Sequence, residues 1–326
     1  MPDGPLLPVL SLWGRTGVDS SCGAALRHTV EMTDATLDLR RVARQFGAAA
    51  SSYDRVAVLQ REVGSRLLER LVFLDTPPTR VLDVGTGTGA ALPELSKRYP
   101  QAALLGLDLA RPMLKRAERH RSWLRRVRFE LVQADARALP LADACVDLLH
   151  SNLCLQWVDD LPALFNGFRR VLKPGAWLMF SSFGPDTLRE LREAFASVDD
   201  APHIHRFLDL HDVGDRLLAA GFRDPVLDVE RFTLRYAEPR EVLEELKALG
   251  ARNAMQQRAP GLMTPRKLKR VLEHYAARRE ADGKVPATWE VIYAMARAPG
   301  EGQPIRQGDR EVATFSLEAL KRTLRR

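Results

Sequence analysis

The run Val81-Leu82-Asp83-Val84-Gly85-Thr86-Gly87-Thr88-Gly89 constrains this chain more than any other feature. A short buried strand feeds directly into a glycine turn, and the turn opens a helix. In open α/β sheets that junction marks the carboxyl end of a parallel strand, where ligands bind. Glycine lets the backbone bend sharply there and lie close to a ligand, with no Cβ in the way. The glycines alone leave the ligand open, because Gly85-x-Gly87-x-x-Ala90 also fits a dinucleotide fingerprint.

The flanking sequence fits such a sheet. Apolar spacing predicts a helix over 56–74, with Val56, Leu59, Val63, Leu67 and Leu71 on one face and Pro77-Pro78 ending it. Strands follow at 80–84, 103–107, 127–132, 146–150, 177–181 and 226–232. Helices separate them at 90–98, 112–120, 161–172 and 212–220. That alternation gives a mostly parallel sheet covered on both faces. The rhythm breaks at 238–250 and 265–279, two helical patterns with no strand between them. They read as an insertion at the ligand edge, and the β-rich run 288–296 as a seventh strand returning antiparallel beside the sixth. The expected fold is α/β, a seven-stranded Rossmann-like sheet with an antiparallel last strand and a helical insertion before it.

The domain plan follows. Residues 1–31 carry no helical period and are expected to lie outside the fold, with Met32 as the candidate true start. Residues 32–75 form a helical lid, in which Thr33-Asp34 caps a helix through Leu37, Val42 and Phe46. Residues 76–300 form the main domain, with the insertion at about 237–284. The polar tail, 301–326, ends in a weak helix over 317–324.

Three carboxylates at successive strand ends narrow the ligand. Asp83, two residues before the first glycine, suits an ammonium group and would repel a pyrophosphate. Asp108 ends the second strand, placed to accept from both ribose hydroxyls; a dinucleotide would ask the same. Asp135, in Gln133-Ala134-Asp135-Ala136, ends the third strand, where a carboxylate receives an adenine amino group. Met113, one turn beyond Asp108, is placed to cover an adenine face.

Composition bounds the setting. The 326 residues are 45% hydrophobic and 28% charged, an ordinary balance for a globular enzyme. No apolar run approaches the ~18–20 residues that span a bilayer. Cys22, Cys145 and Cys154 are odd in number and widely spaced, so neither a disulfide framework nor a zinc site is expected, and a cytoplasmic location is. Cys154 reads as a small pocket residue rather than a nucleophile. The net charge of +7 fits a nucleic acid, an acidic protein partner or mere arginine richness. No aromatic-and-basic RNA module accompanies it, so no nucleic-acid partner is expected, and no metal.

The glycine motif, Asp108, Asp135 and the segment Leu149-His150-Ser151-Asn152-Leu153-Cys154-Leu155-Gln156-Trp157-Val158 resemble class I S-adenosylmethionine-dependent methyltransferases. More narrowly, the chain from about Val42 to Pro299 resembles malonyl-acyl-carrier-protein O-methyltransferases of biotin synthesis. Phe46-Gly47-Ala48-Ala49-Ala50-Ser51-Ser52-Tyr53-Asp54, Pro202-His203-Ile204-His205-Arg206-Phe207 and Leu246-Lys247-Ala248-Leu249-Gly250-Ala251 carry this likeness. Thr86 and Thr88 depart from it, standing where relatives often have Cys and Pro; both are small, so cofactor binding is expected to survive. The resemblance implies S-adenosylmethionine as cofactor, held by Asp83, Gly85, Thr86, Gly87, Gly89, Asp108, Leu109, Met113, Asp135, Ala136 and Asn152. It implies methyl transfer to the free carboxylate of malonyl-acyl-carrier protein, giving the ester that primes biotin synthesis. A second resemblance, through Phe183 to Arg192 and Leu155 to Pro162, is to complex I assembly factors of the same fold that act as arginine hydroxylases. A methyltransferase for another small acceptor, such as a quinone precursor, is a third reading.

The implied reaction needs little acid–base chemistry. A malonyl carboxylate is ionised at neutral pH, so the protein has only to align the reactants and exclude water. Arg206 is the candidate cation for that carboxylate, because a guanidinium grips it through two parallel bonds. His203 and His205 read as loop-shaping. Tyr53 is expected to fold over the cofactor as part of the lid, and Gln156 and Trp157 to lie where acceptor and methyl meet. Carrier proteins of this kind are acidic, so Arg266, Lys267, Lys269 and Arg270 in the insertion are the expected docking cations. Residues 111–128, with eight Lys or Arg against one acid, form a second basic cluster.

Overall fold

The computed structural model describes residues 37–121, 128–251, 253–254, 263–303, 305–307 and 310–312. The expected extension, the Thr33-Asp34 cap and the 317–324 helix fall outside them. Seven strands form one sheet: β1 (Arg80–Val84), β2 (Ala103–Asp108), β3 (Glu130–Gln133), β4 (Val146–Ser151), β5 (Leu172–Phe183), β6 (Arg223–Tyr236) and β7 (Val285–Arg297). Their order is β3-β2-β1-β4-β5-β7-β6. The first five run parallel, and β7 lies antiparallel to both β5 and β6.

Alternation along the strands feeds two cores. On β1, Leu82 faces one sheet side and Val81 the other. The first side packs α6 (Leu161–Val171) and α8 (Leu210–Ala219), with Phe165 ringed by Phe168, Phe180 and Phe222 at 5.8–6.4 Å. The second packs α3 (Val58–Glu69), α4 (Leu92–Arg98), α7 (Arg189–Ala196) and α10 (Pro265–Ala276). Each fully buried large apolar side chain contributes about 1.5–3 kcal/mol. Val63 and Leu67, both 0% exposed, tie α3 to the sheet in this way.

Several boundaries differ from the sequence reading, each for a local reason. The first described helix, α1, spans Leu39–Ala49 and is capped by Asp38, whose carboxylate accepts from Arg41 N at 3.0 Å. Leu37 precedes it. The helix expected over 56–74 divides into the short α2 (Tyr53–Val56), α3 and a final 3-10 turn, Arg70–Phe73. Strand β5 begins at Leu172, so Lys173-Pro174-Gly175 lies inside it. Gly175, at φ 75°, and a register shift opposite β4 absorb the proline. Strand β6 runs twice as long as its apolar segment, because an edge strand with one exposed face tolerates polar residues. Helix α7 was not expected; its inward face includes Glu190, which accepts from Thr288 N at 3.0 Å and so disguises the apolar pattern. A hairpin, β8 (Ile305–Gln307) with β9 (Arg310–Val312), stands in the tail. The insertion holds α9 (Pro239–Ala248) and α10, as expected. Among the described residues no helix is long and apolar enough to cross a membrane.

Candidate active site

At the carboxyl ends of β1 and β2 the chain builds a cleft of about 770 Å³, counting the space open at its mouth. The glycine turn forms one wall. Gly85 has φ 69°, and a Cβ there would run into Cys154, so the close approach of the β4 loop requires glycine. Asp108 forms the wall opposite. Its carboxylate accepts from Gly87 N at 2.9 Å and Ala110 N at 2.7 Å, which ties the β2 end to the glycine turn. Burial pushes this carboxyl up to about 6 against the pull of those two N–H groups.

Gly87, Leu109 and Met113, the last on α5 (Arg111–Ala117), share that lining with Asp108, and Asp135, Ala136 and Asn152 complete the far side. Burial raises the Asp135 carboxyl, but the Arg137 guanidinium, 2.8 Å away, more than offsets this and leaves it below the usual range. Asn152 is braced on both sides: its amide donates to Gln60 O at 2.9 Å and its oxygen accepts from Ser181 at 2.7 Å. Tyr53 closes the cleft beside Asp108, and burial together with that carboxylate holds its phenol protonated far above the usual value. Burial also pushes the Cys154 thiol up to about 12, with Asp108 reinforcing the shift, so the thiolate form of a nucleophile is absent at neutral pH.

Other expected site residues fall outside this lining. Asp83 is 3% exposed and lies beneath the glycine turn, outside the lining of the cleft. Its carboxylate contacts His150 Nδ1 at 2.7 Å and accepts from the Thr86 hydroxyl at 2.5 Å. Thr86 thus braces Asp83 and likewise stands outside the lining. Gly89 packs at φ 80° against Ala117, 2.8 Å from where its Cβ would stand, and fixes the helix that follows. Gln156 turns back, donating to Leu153 O at 2.7 Å, and lines neither cavity near it. Arg206 is exposed and lines neither cavity either.

The apolar face of α1, with Leu39, Val42 and Phe46, lines the cleft, within the segment read from sequence as a helical lid. The sequence reading missed two features. His150 is 0% exposed with Nε2 unpartnered, and nothing in the sequence linked it to Asp83. A second, mainly apolar cavity of about 770 Å³, again counting its mouth, lies behind Trp157. Trp157 lines both cavities and is held edge-on between Phe46, at 5.1 Å, and His205, at 5.2 Å. His205 and Phe207 line the second cavity, with Trp289 and Leu246. His203 also borders it, bonded to Asp199 at 2.7 Å and stacked on Phe195. On α10, Lys267 pairs with Asp199 at 3.1 Å and Lys269 with Glu273 at 3.8 Å, so two of the four expected docking cations are already partnered.

Strand order, glycine turn and paired cavities define an S-adenosylmethionine-dependent methyltransferase, and residues 82–180 match the methyltransferase domain family. The YcgJ protein of Bacillus subtilis shares the fold, with a TM-score of 0.52 at 16% identity over 72% of this chain and 98% of that one. A malonyl-acyl-carrier-protein O-methyltransferase of Halorhodospira halophila is 50% identical across 89% of this chain and 98% of its own length. One from Xylella fastidiosa is 45% identical across 87% and 96%. The chain belongs to the malonyl-acyl-carrier-protein O-methyltransferase family.

Proposed function

We propose that this protein methylates the free carboxylate of malonyl-acyl-carrier protein, producing the methyl ester that primes biotin synthesis. The observation that carries the reading is the pair of cavities meeting at Trp157, one edged by a carboxylate and glycine turn, the other mainly apolar. The first fits S-adenosylmethionine: Gly85 and Gly87, both at positive φ, leave a cradle without Cβ atoms, and Asp108 offers a carboxylate at the β2 end. S-adenosylmethionine supplies a sulfonium methyl group, already activated for transfer to a carboxylate.

The chain's residues then have three tasks. Asp108 accepts from the ribose hydroxyls, Leu109 and Met113 cover the adenine, and Asp135 with Ala136 lies at its amino edge. Tyr53 and the apolar face of α1 exclude water, which matters because a charge-neutralising displacement proceeds faster in a dry, aligned site. Trp157 separates the two reactants until the acyl end abuts it. No group need remove a proton, in keeping with a raised Cys154 thiol and a protonated Tyr53. Arg206 is retained as the cation for the malonyl carboxylate; it lies outside the lining of both cavities, and its exposed guanidinium has no ion pair among the described residues. Carrier docking through Arg266, Lys267, Lys269 and Arg270 has weaker support, given the ion pairs of Lys267 and Lys269.

The test is direct. The protein is incubated with methyl-labelled S-adenosylmethionine and malonyl-acyl-carrier protein, and the carrier is weighed by mass spectrometry. The expected product is heavier by one methyl group and loses it on ester hydrolysis. An unmodified carrier, under conditions where the protein binds the cofactor, would overturn the reading.

A further inference from the structure

Helix α1 presents two different faces to two different spaces. Leu39, Val42 and Phe46 face the cofactor cleft. Arg44 faces away, into a broad groove of about 1360 Å³, open mouth included, between α1 and α9. Arg55, in α2, and Lys247, near the end of α9, line the same groove. All three are exposed and have no ion pair among the described residues. Glu244 is the acid of this lining, and it is turned toward Arg240 of its own helix at 3.9 Å. The groove is therefore cationic, and Arg44, Arg55 and Lys247 are uncommitted there, unlike Lys267 and Lys269 on α10.

The groove also leads somewhere. Lys247 lines both it and the second cavity, and Trp157 lines both the second cavity and the cofactor cleft. The three spaces form a series: cationic groove, mainly apolar cavity, cofactor cleft. A flexible arm with an anion at its outer end and an acyl group at its inner end matches that series. Unpaired guanidinium and ammonium groups recognise a phosphodiester strongly, through charge-assisted bonds.

We propose that the groove between α1 and α9 receives the phosphodiester of the carrier's phosphopantetheine arm, with Arg44, Arg55 and Lys247 as its cations, and that the arm passes Lys247 into the second cavity to bring its acyl end against Trp157. This rests on the malonyl-carrier reading above. It places the carrier on the back of the very helix whose front covers the cofactor, so that docking would press the lid closed.

The experiment compares three acceptors with the full chain: malonyl-acyl-carrier protein, malonyl-4′-phosphopantetheine and malonyl-pantetheine, which lacks the phosphate. For Arg44→Ala/Arg55→Ala/Lys247→Ala, KM for the first two should rise about tenfold or more relative to KM for the third, the scale expected when charge-assisted contacts to one anion are lost. Calorimetric affinity for S-adenosylmethionine and the melting temperature report folding. Should the triple variant unfold, Lys247→Gln alone should still shift the ratio in the same direction. A ratio that stays at the wild-type value overturns the proposal, as does a parallel rise for all three acceptors. So does a shift produced by Arg266→Ala/Arg270→Ala and not by the groove variants, which would put the carrier on α10. A wild-type protein inert toward all three thioesters removes the acceptor reading itself, whereas a wild type active on all three with no preference for the phosphate removes only the groove.

Discussion

Asp108 is the residue on which binding and stability pull in opposite directions. Its folded pKa, about 6, lies above the ordinary 3.8, so the folded chain holds this proton longer than the unfolded one. The group therefore destabilises the fold increasingly as pH rises from 3.8 to about 6, and the cost is complete above that. A ribose, by contrast, asks for the ionised form. Cofactor affinity should fall below about pH 6, by up to tenfold per pH unit. Asp108→Asn should weaken binding by ~1.5–3 kcal/mol at neutral pH and flatten that profile. Calorimetry across this range checks both; an unchanged affinity in a folded variant would remove Asp108 from the site. Asp83 poses a different case, since it works from beneath the turn. His150→Leu would strand its carboxylate in the core and should cost ~3–5 kcal/mol in urea unfolding. The double variant Asp83→Asn/His150→Leu should recover part of that loss, because no charge is left unpaired. Additive losses would show that the pair is not coupled.

At the scale of elements, the lid is held by backbone as much as by side chains. Gly250, at φ 76° beyond the end of α9, leaves no room for a Cβ, which would stand 2.9 Å from Gln45 O and 3.1 Å from Phe46 Cα on α1. Gly250→Ala should therefore displace α1 and weaken cofactor binding several-fold, although residue 250 does not itself line the cleft. Gly283→Ala is the control: φ is 77°, but nothing lies within 4 Å, so it should lose stability, by about 1–2 kcal/mol, without losing affinity. Equal effects on affinity would refute the lid argument. The parallel strands and the β7 return were legible in the sequence because a strand buried on both faces reads as a continuous apolar run. Helix α7 was not, because burying Glu190 against Thr288 breaks the pattern that periodicity detects. The site divides in the same way. Asp108, Asp135, Gly85 and Gly87 sit at strand ends that local sequence defines, and they meet at one cleft. The second cavity is assembled from Trp157 beyond β4, β5, β7, α7, α9 and the 203–207 loop, segments far apart along the chain, and no local pattern announces it.

In the whole molecule, a net charge of +7 is not spread as a uniform coat. At the sheet edge Arg66 and Arg70 are balanced by Glu230 and Asp228 and add nothing to that excess. What stays uncommitted beside α1 thus gains weight as a local signal. The position of β7 has a consequence in time. That strand is hydrogen-bonded on both sides, to β5 and β6, yet it is the last of the seven along the chain. A nascent chain can join β3-β2-β1-β4-β5 early, but it must keep the outer edge of β5 bare, and β6 without a partner, until residue 297 has been made. Such an edge invites pairing with a neighbouring chain. A chain stopped at residue 284 should therefore scatter light on refolding and show no cooperative melt, while the full chain refolds cleanly. A soluble, cooperatively melting fragment would mean that the five parallel strands form a self-sufficient unit. Otherwise synthesis itself sets a vulnerable interval, and it closes only when the second strand from the sheet's edge slides in last.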